Sequence, residues 1–298
     1  MTATAVFVHG RRQEARDPEI LARGWLAALN TGLGRAGLPA LAPERVSLPY
    51  YGTALHDATA ELAGARLRLE DLPADGPHAG AAPGTLDPDL PADVGELERR
   101  LVADMAAALS PDAPRREALE WSPDRLLSWD AARRLLSEIA LRTRTDQWII
   151  TVHLRDVAVY LTHARDEVLA AVRRALPAAG PVVLVSHSLG TVVARDLLAG
   201  ADVRDRTVAW ITAGSPLGLE AVQRNMRPPG ARHPGPAVPW FSAYDVRDVV
   251  ALGHPLRPAY GEPLTDIRVE NGDAPHLIER YLAHADVARP IGEALARG

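Results

Sequence analysis

Pro181 to Gly200 reads PVVLVSHSLGTVVARDLLAG. Its opening, Pro181 with Val182, Val183, Leu184 and Val185, is apolar and mostly β-branched, which predicts a buried strand. Ser186-His187-Ser188-Leu189-Gly190 predicts a tight turn, and the residues after it a helix that stops at Gly200. Strand, sharp turn and helix form the setting in which a nucleophilic serine is held exposed on a strained backbone. Ser188 is the central residue of that turn. Small residues are needed two positions before and two after it, because strand and helix backbones nearly touch there. Gly190 meets the demand, and Ser186 stands where glycine is commoner. The competing reading is a plain strand-to-helix turn.

Upstream, Thr4 to Val8 (TAVFV) predicts a short strand stopped by His9-Gly10. Pro18 to Asn30 has helical spacing in Ile20, Leu21, Trp25, Leu26 and Leu29, with Gly32, Gly34, Gly37 and Pro39 expected to close that helix. Arg45 to Leu48 is a second strand candidate, ending in Pro49-Tyr50-Tyr51-Gly52. Strand, helix, strand is the start of a parallel sheet. Downstream, Thr207–Ala213, Val238–Tyr244 and Thr265–Asn271 predict three more strands. A helical segment from Leu277 to Ala296 ends the chain.

Residues 53–146 behave differently. A stretch near 71–95 is crowded with Pro, Gly, Ala and Asp and predicts a flexible loop. Helical patterns flank it, Leu97 to Leu109 and Ala131 to Leu141, with Trp121 and Trp129 between them. The interval is too long for a structureless connection and predicts a largely helical insertion in a single domain spanning 1–298, read either as a cap or lid over the site or as a passive surface excursion. From Trp148 one or two further helices lead into the Ser188 strand.

A serine hydroxyl is a poor nucleophile near neutral pH and needs a base within hydrogen-bonding reach. Imidazole suits the task, and a carboxylate fixes its tautomer and stabilises the imidazolium that forms. On a sheet of this kind the chain order is Ser, then Asp or Glu, then His, each after a strand end. Asp248, with Asp245 in reserve, follows the penultimate strand; His276 follows the last. Asp245 also suits an Asx turn bonding its own loop. His284 is explained as a helix-surface residue, and His254 comes too early in the chain. A tetrahedral intermediate needs oxyanion donors. The backbone N–H of Leu189 is one candidate and that of Arg11 (or Arg12) the other, because His9-Gly10 lets backbone approach. His9 itself is read first as shaping its loop.

VFVHG, VVLVSHSLGTVVA, ITAGSPLG, WFSAYDVRDVVAL and PHLIERYLAHADVA, taken together and in this order, resemble the α/β-hydrolase superfamily, most closely its lipase- and esterase-like members. The resemblance spans the chain apart from the insertion. It implies an α/β fold with a mostly parallel sheet of about six strands in the order 2-1-3-4-5-6 and helices on both faces. It also implies a catalytic set of Ser188, Asp248 and His276 acting on an ester, with no cofactor. Substrate pocket candidates are His9, Tyr50, Tyr51 and Leu217, with tryptophans of the insertion. Amidase, thioesterase and acyltransferase activities share the same apparatus, and a non-catalytic binding protein on the same fold is the alternative of a different class.

Composition narrows the choices. The chain has 298 residues, 47% of them hydrophobic and 24% charged, with a net charge of −5. This balance gives no reason to expect nucleic acid or an anionic membrane as partner, and the resemblance implies a small acyl substrate instead. It has no cysteine, which excludes disulfides and thiol chemistry, and no lysine, which excludes Ser-Lys catalysis and Schiff bases. The histidines are scattered without H-E-x-x-H, so no metal is expected. No apolar run is long enough to span a bilayer, and the first strand leaves no room for a signal peptide, so the expected location is cytoplasmic.

Overall fold

The computed structural model of the chain describes residues 2–11, 13, 16–62, 91–109, 128–235 and 237–298. Six strands, β1 (Thr4–Val8), β2 (Val46–Ser47), β3 (Val182–His187), β4 (Thr207–Ala213), β5 (Trp240–Asp245) and β6 (Leu264–Val269), form one sheet. The order is β2-β1-β3-β4-β5-β6, and every ladder is parallel. The chain steps outward from β1 to β2 and then returns to place β3 on the other side of β1. Ligand crevices open at such a reversal, outside the carboxyl ends of the strands. Registers Val8↔Ser186, His187↔Ala213, Ala213↔Ala243 and Asp245↔Val269 bring those ends to a common edge.

The helices are α1 (Pro18–Arg35), α2 (Gly52–Leu62), α3 (Ala92–Ala108), α4 (Trp129–Thr143), α5 (Gln147–Val159), α6 (Arg165–Ala175), α7 (Leu189–Leu197), α8 (Ala201–Arg204), α9 (Glu220–Asn225), α10 (Arg257–Tyr260), α11 (Ile278–Leu282) and α12 (Ala285–Arg297). Alternation along the strands sends Ala5, Phe7, Val183, Val185, Ala209, Ile211 and Ala243 to one face, against Trp25, Leu29, Ile291 and Leu295 of α1 and α12. On the opposite face α7 packs on β1 and β3. There Trp210 and Trp240 stack at 4.3 Å. Their indole N–H groups donate to Ser186 Oγ (2.9 Å) and Thr212 Oγ1 (3.1 Å). Helices therefore cover both faces, as expected for a parallel sheet.

Several boundaries differ from the sequence expectation. β3 runs on through Ser186 and His187, so Ser188 alone separates it from α7. α1 does not stop at Gly32 but continues to Arg35. A Cβ at Gly32 would lie 2.2 Å from Leu282 O and 2.7 Å from Ala288 Cβ, so this glycine is a notch for close helix crossing, not a stop. The stop comes three residues past it, where the Leu38 N–H returns to Leu33 O (2.9 Å). The C-terminal segment is two helices, broken at Ala283-His284.

The chain divides into two compact units, Met1–Thr53 with Arg165–Gly298, and Ala54–Ala164. The second begins within a residue of the expected insertion but extends past Asp146, so α5 belongs to it and not to an approach to β3. The expected loop near 71–95 falls outside the described residues as far as 90, and Ala92 to Gly95 are the first turn of α3 instead. Trp121 also falls outside them. In this unit α3 packs on α4 and α5 through Leu97, Leu101, Leu136, Ile139, Ile150 and Leu154. Caps agree with the sequence: Ser128 Oγ accepts from the Ala131 N–H (3.2 Å) and Asp146 Oδ1 from the Trp148 N–H (2.7 Å). A buried Arg155–Glu98 pair at 3.1 Å ties α5 to α3.

Candidate active site

β3 delivers Ser188 to the sheet edge in a conformation L-residues rarely adopt, φ 55° and ψ −132°. The strain is held from both sides. Ser188 N–H donates to Ala213 O at the end of β4 (3.1 Å), and Ser188 O accepts from the Thr191 N–H (2.9 Å) and hydroxyl (2.7 Å). A Cβ at Gly190 would stand 2.2 Å from Val8 O and 2.3 Å from His9 O. The glycine is thus required, though the backbone that crowds it belongs to β1 and its loop and not to its own strand. Ser186 is fully buried, and its hydroxyl donates to Ile211 O (3.0 Å) while accepting from Trp210.

His276 and Asp248 arrive from the loops after β6 and β5. Ser188 Oγ lies 3.1 Å from His276 Nε2, and His276 Nδ1 lies 2.9 Å from Asp248 Oδ2. Asp248 is buried. Burial alone would raise its carboxyl, but the electrostatic pull of neighbouring His276 and hydrogen bonds from His276, Tyr281 and the Val250 N–H together hold it below the usual carboxylate range. An ionised carboxylate only accepts, so the imidazole proton sits on Nδ1 and Nε2 presents a lone pair to the Ser188 hydroxyl.

Asp245 stands apart from this chain. Its Oδ1 accepts from the Arg247 N–H (2.8 Å), the Asx turn expected of it, and its Oδ2 from the Asn271 N–H (2.6 Å). It stitches the ends of β5 and β6. His254 bonds Ala251 O (2.8 Å) and Ser242 Oγ (3.2 Å). His284 caps α12 and bonds Asn271 Oδ1 (3.1 Å), so it is not a helix-surface residue.

The loop after β1 closes the other side. A Cβ at Gly10 would be 3.0 Å from Ser188 Cβ, which sets this backbone, one residue before Arg11, against the serine. Leu189 is the first residue of α7, where N–H groups have no partner within the helix. Arg12 lies outside the described residues. His9 is fully buried, which pushes its ring down to about 4. Its Nε2 accepts from the Tyr51 N–H (3.1 Å), leaving Nδ1–H to donate to Gly10 O (2.6 Å). Tyr51 stacks on it at 4.1 Å and donates to His9 O, and Tyr50 donates to Gln13 O. His9 thus shapes its loop, with the tyrosines bracing it. Leu217 and Tyr51 are fully buried and Tyr50 is half-buried.

No protein-family model and no curated protein matches this sequence.

Three contributors escaped the sequence reading. His187 is buried and kept neutral, its ring pushed down to about 3 by burial and by neighbouring His276. Its Nε2 bonds the main-chain carbonyl of His276 (2.8 Å). Gly214, at φ 55°, has no room for a Cβ, which would sit 2.7 Å from Asp248 Oδ2 and 3.1 Å from His276 Nδ1. Tyr281 donates to Asp248 Oδ2 (2.8 Å). Gly214-Ser215-Pro216 marked a turn without saying what passes over it. The helical period placed Tyr281 near His276 without fixing its direction. Among the described residues no group of three or more His, Asp or Glu could hold a metal ion, and no helix is long and apolar enough to cross a membrane.

Proposed function

We propose that this chain is a serine hydrolase of the α/β-hydrolase type that cleaves a carboxylic ester through an acyl-enzyme. The observation that carries the reading is the directed hydrogen-bond series from Ser188 Oγ through His276 to buried Asp248, built on a serine with positive φ. Strain of this kind costs of order 1–3 kcal/mol and persists where the surrounding structure over-determines it, characteristically at functional sites.

In this mechanism His276 Nε2 takes the hydroxyl proton as Ser188 Oγ attacks the ester carbonyl carbon. The carbonyl oxygen becomes an oxyanion facing the backbone N–H groups of Leu189 and Arg11, and each such donor contributes about 3 kcal/mol to the transition state. Collapse breaks the bond to the alcohol oxygen, which leaves with the proton from His276. Water then repeats the sequence against the acyl-serine, giving the acid and restoring Ser188. Asp248 stays ionised throughout and stabilises the imidazolium. The substrate is a small acyl ester, and the steps above call on no cofactor.

The test is intact mass after exposure to a fluorophosphonate, for wild type and Ser188→Ala. A single adduct on wild type, absent from the variant, is expected, followed by turnover of a short-chain p-nitrophenyl ester. Folded wild type that takes no adduct and turns over no ester would favour a non-catalytic binding protein.

A further inference from the structure

We infer that Tyr281 is a positioning residue that holds the Asp248 carboxylate in the orientation His276 requires. The inference rests on the hydrolytic reading above only for its kinetic consequence. Tyr281 lies in α11, five residues past His276, and its side chain is fully buried. Its oxygen accepts the Asp245 N–H at 3.0 Å. The hydroxyl proton is thereby turned to Asp248 Oδ2, at 2.8 Å. That is the same oxygen that receives His276 Nδ1–H, at 2.9 Å.

Asp248 Oδ1 is tied to its own loop by the Val250 N–H at 2.9 Å. The carboxylate can turn only about its Cβ–Cγ bond, which would carry both oxygens, and the bonds from Tyr281 and His276 to Oδ2 oppose that turn together with the Val250 bond to Oδ1. Burial, followed by the charge of Asp248, pushes the Tyr281 phenol well above its ordinary range, so it remains a donor wherever the protein is folded. The directions are determined along the whole series: Asp245 N–H to Tyr281, Tyr281 O–H to Asp248, His276 Nδ1–H to Asp248, Ser188 O–H to His276. Series of this kind strengthen one another when every member is satisfied. Tyr281 also explains why the two aspartates divide their work. It takes only the backbone N–H of Asp245, whose carboxylate is occupied by Arg247 N–H and Asn271 N–H, and it gives its proton to Asp248.

The experiment is downfield proton NMR on the full chain as wild type, Tyr281→Phe and Asp248→Asn, with the rate of fluorophosphonate adduct formation followed by intact mass. Wild type should show two protected downfield protons, the imidazole Nδ1–H of His276 and the hydroxyl of Tyr281, both displaced in Asp248→Asn. Tyr281→Phe should lose one and move the imidazole proton upfield as the carboxylate turns from the orientation His276 requires. Its adduct rate should fall about tenfold, the effect of one hydrogen bond to a charged group. An imidazole proton and adduct rate unmoved in Tyr281→Phe, even with a lower melting temperature, would reduce the tyrosine to packing and overturn the inference. Should Tyr281→Phe fail to fold, a wild-type spectrum with no hydroxyl proton that responds to Asp248→Asn overturns it equally. Protons that behave as expected in a wild type that takes no adduct would uphold the positioning and sink the hydrolytic reading.

Discussion

Ser186 shows how one hydroxyl can serve where a glycine is commoner. Fully buried, it satisfies Trp210 Nε1 and Ile211 O inside the layer beneath α7. Ser186→Gly leaves the buried indole N–H without an acceptor, and an orphaned buried donor costs about 1–3 kcal/mol. Urea unfolding should therefore show a less stable protein, against the expectation that glycine suits the turn better. Unchanged stability would mean the indole finds another acceptor. The two aspartates separate at the same scale. Asp248→Asn presents an amide to His276 and disturbs its tautomer, so fluorophosphonate labelling should slow by roughly 10³–10⁴-fold. Asp245→Asn weakens the stitch between β5 and β6 and should lower the melting temperature with a far smaller kinetic loss. The reverse ranking would move the acid to Asp245.

Elements meet at two crowded points. α7 runs so close to the end of β1 that a methyl group at Gly190 would collide with the carbonyls of Val8 and His9. Backbone atoms cannot rotate away as a side chain would, so Gly190→Ala must shift either the helix or the β1 loop. Overpacking costs about 1–3 kcal/mol, and more where backbone is struck. The expected outcome is a destabilised protein whose labelling rate falls with its stability, because the same shift moves the β1 loop at Gly10 away from Ser188. Retention of wild-type stability and rate would show that the loop gives way freely. The crossing at Gly32 follows the same logic on the other face, where α1 passes against Leu282 and Ala288.

For the molecule as a whole, buried histidines set the response to acid. His9 and His187 are pushed down from 6.5 to about 4 and about 3, chiefly by burial. Both are bases with depressed folded values, so between 6.5 and those values the unfolded chain binds protons that the folded one does not. Their contribution to stability is complete above pH 6.5 and is lost as pH falls toward 4 and then 3. Two such protons give a slope of about 3 kcal/mol per pH unit near pH 5. Half-buried His254, also lowered to about 4, adds in the same direction. Asp248, held below its usual range, loses its contribution only at lower pH, as the folded carboxylate is protonated. Urea unfolding from pH 7 to 4.5 should show this steep decline, and His187→Gln should flatten it by one proton. An unaltered slope in that variant would place the acid sensitivity elsewhere.

The sequence alone determined the strands and the parallel character of the sheet, because β-branched runs, strand-ending glycines and helical periods are local signals, while the order of the strands came from the resemblance to the α/β-hydrolase superfamily. It also selected Ser188, Asp248 and His276, since each follows a strand and all strand ends share one edge. Asp248 over Asp245 was a preference in the sequence; the loop after β5 folds Asp245 back onto Asn271 and leaves Asp248 beside His276. Tertiary structure alone decided the helix through Gly32, the break at His284, the extent of the second unit, and the parts played by His187, Gly214 and Tyr281. Each of these depends on what lies across a gap from a residue, on a segment distant in sequence. Such proximity leaves no periodicity in the chain.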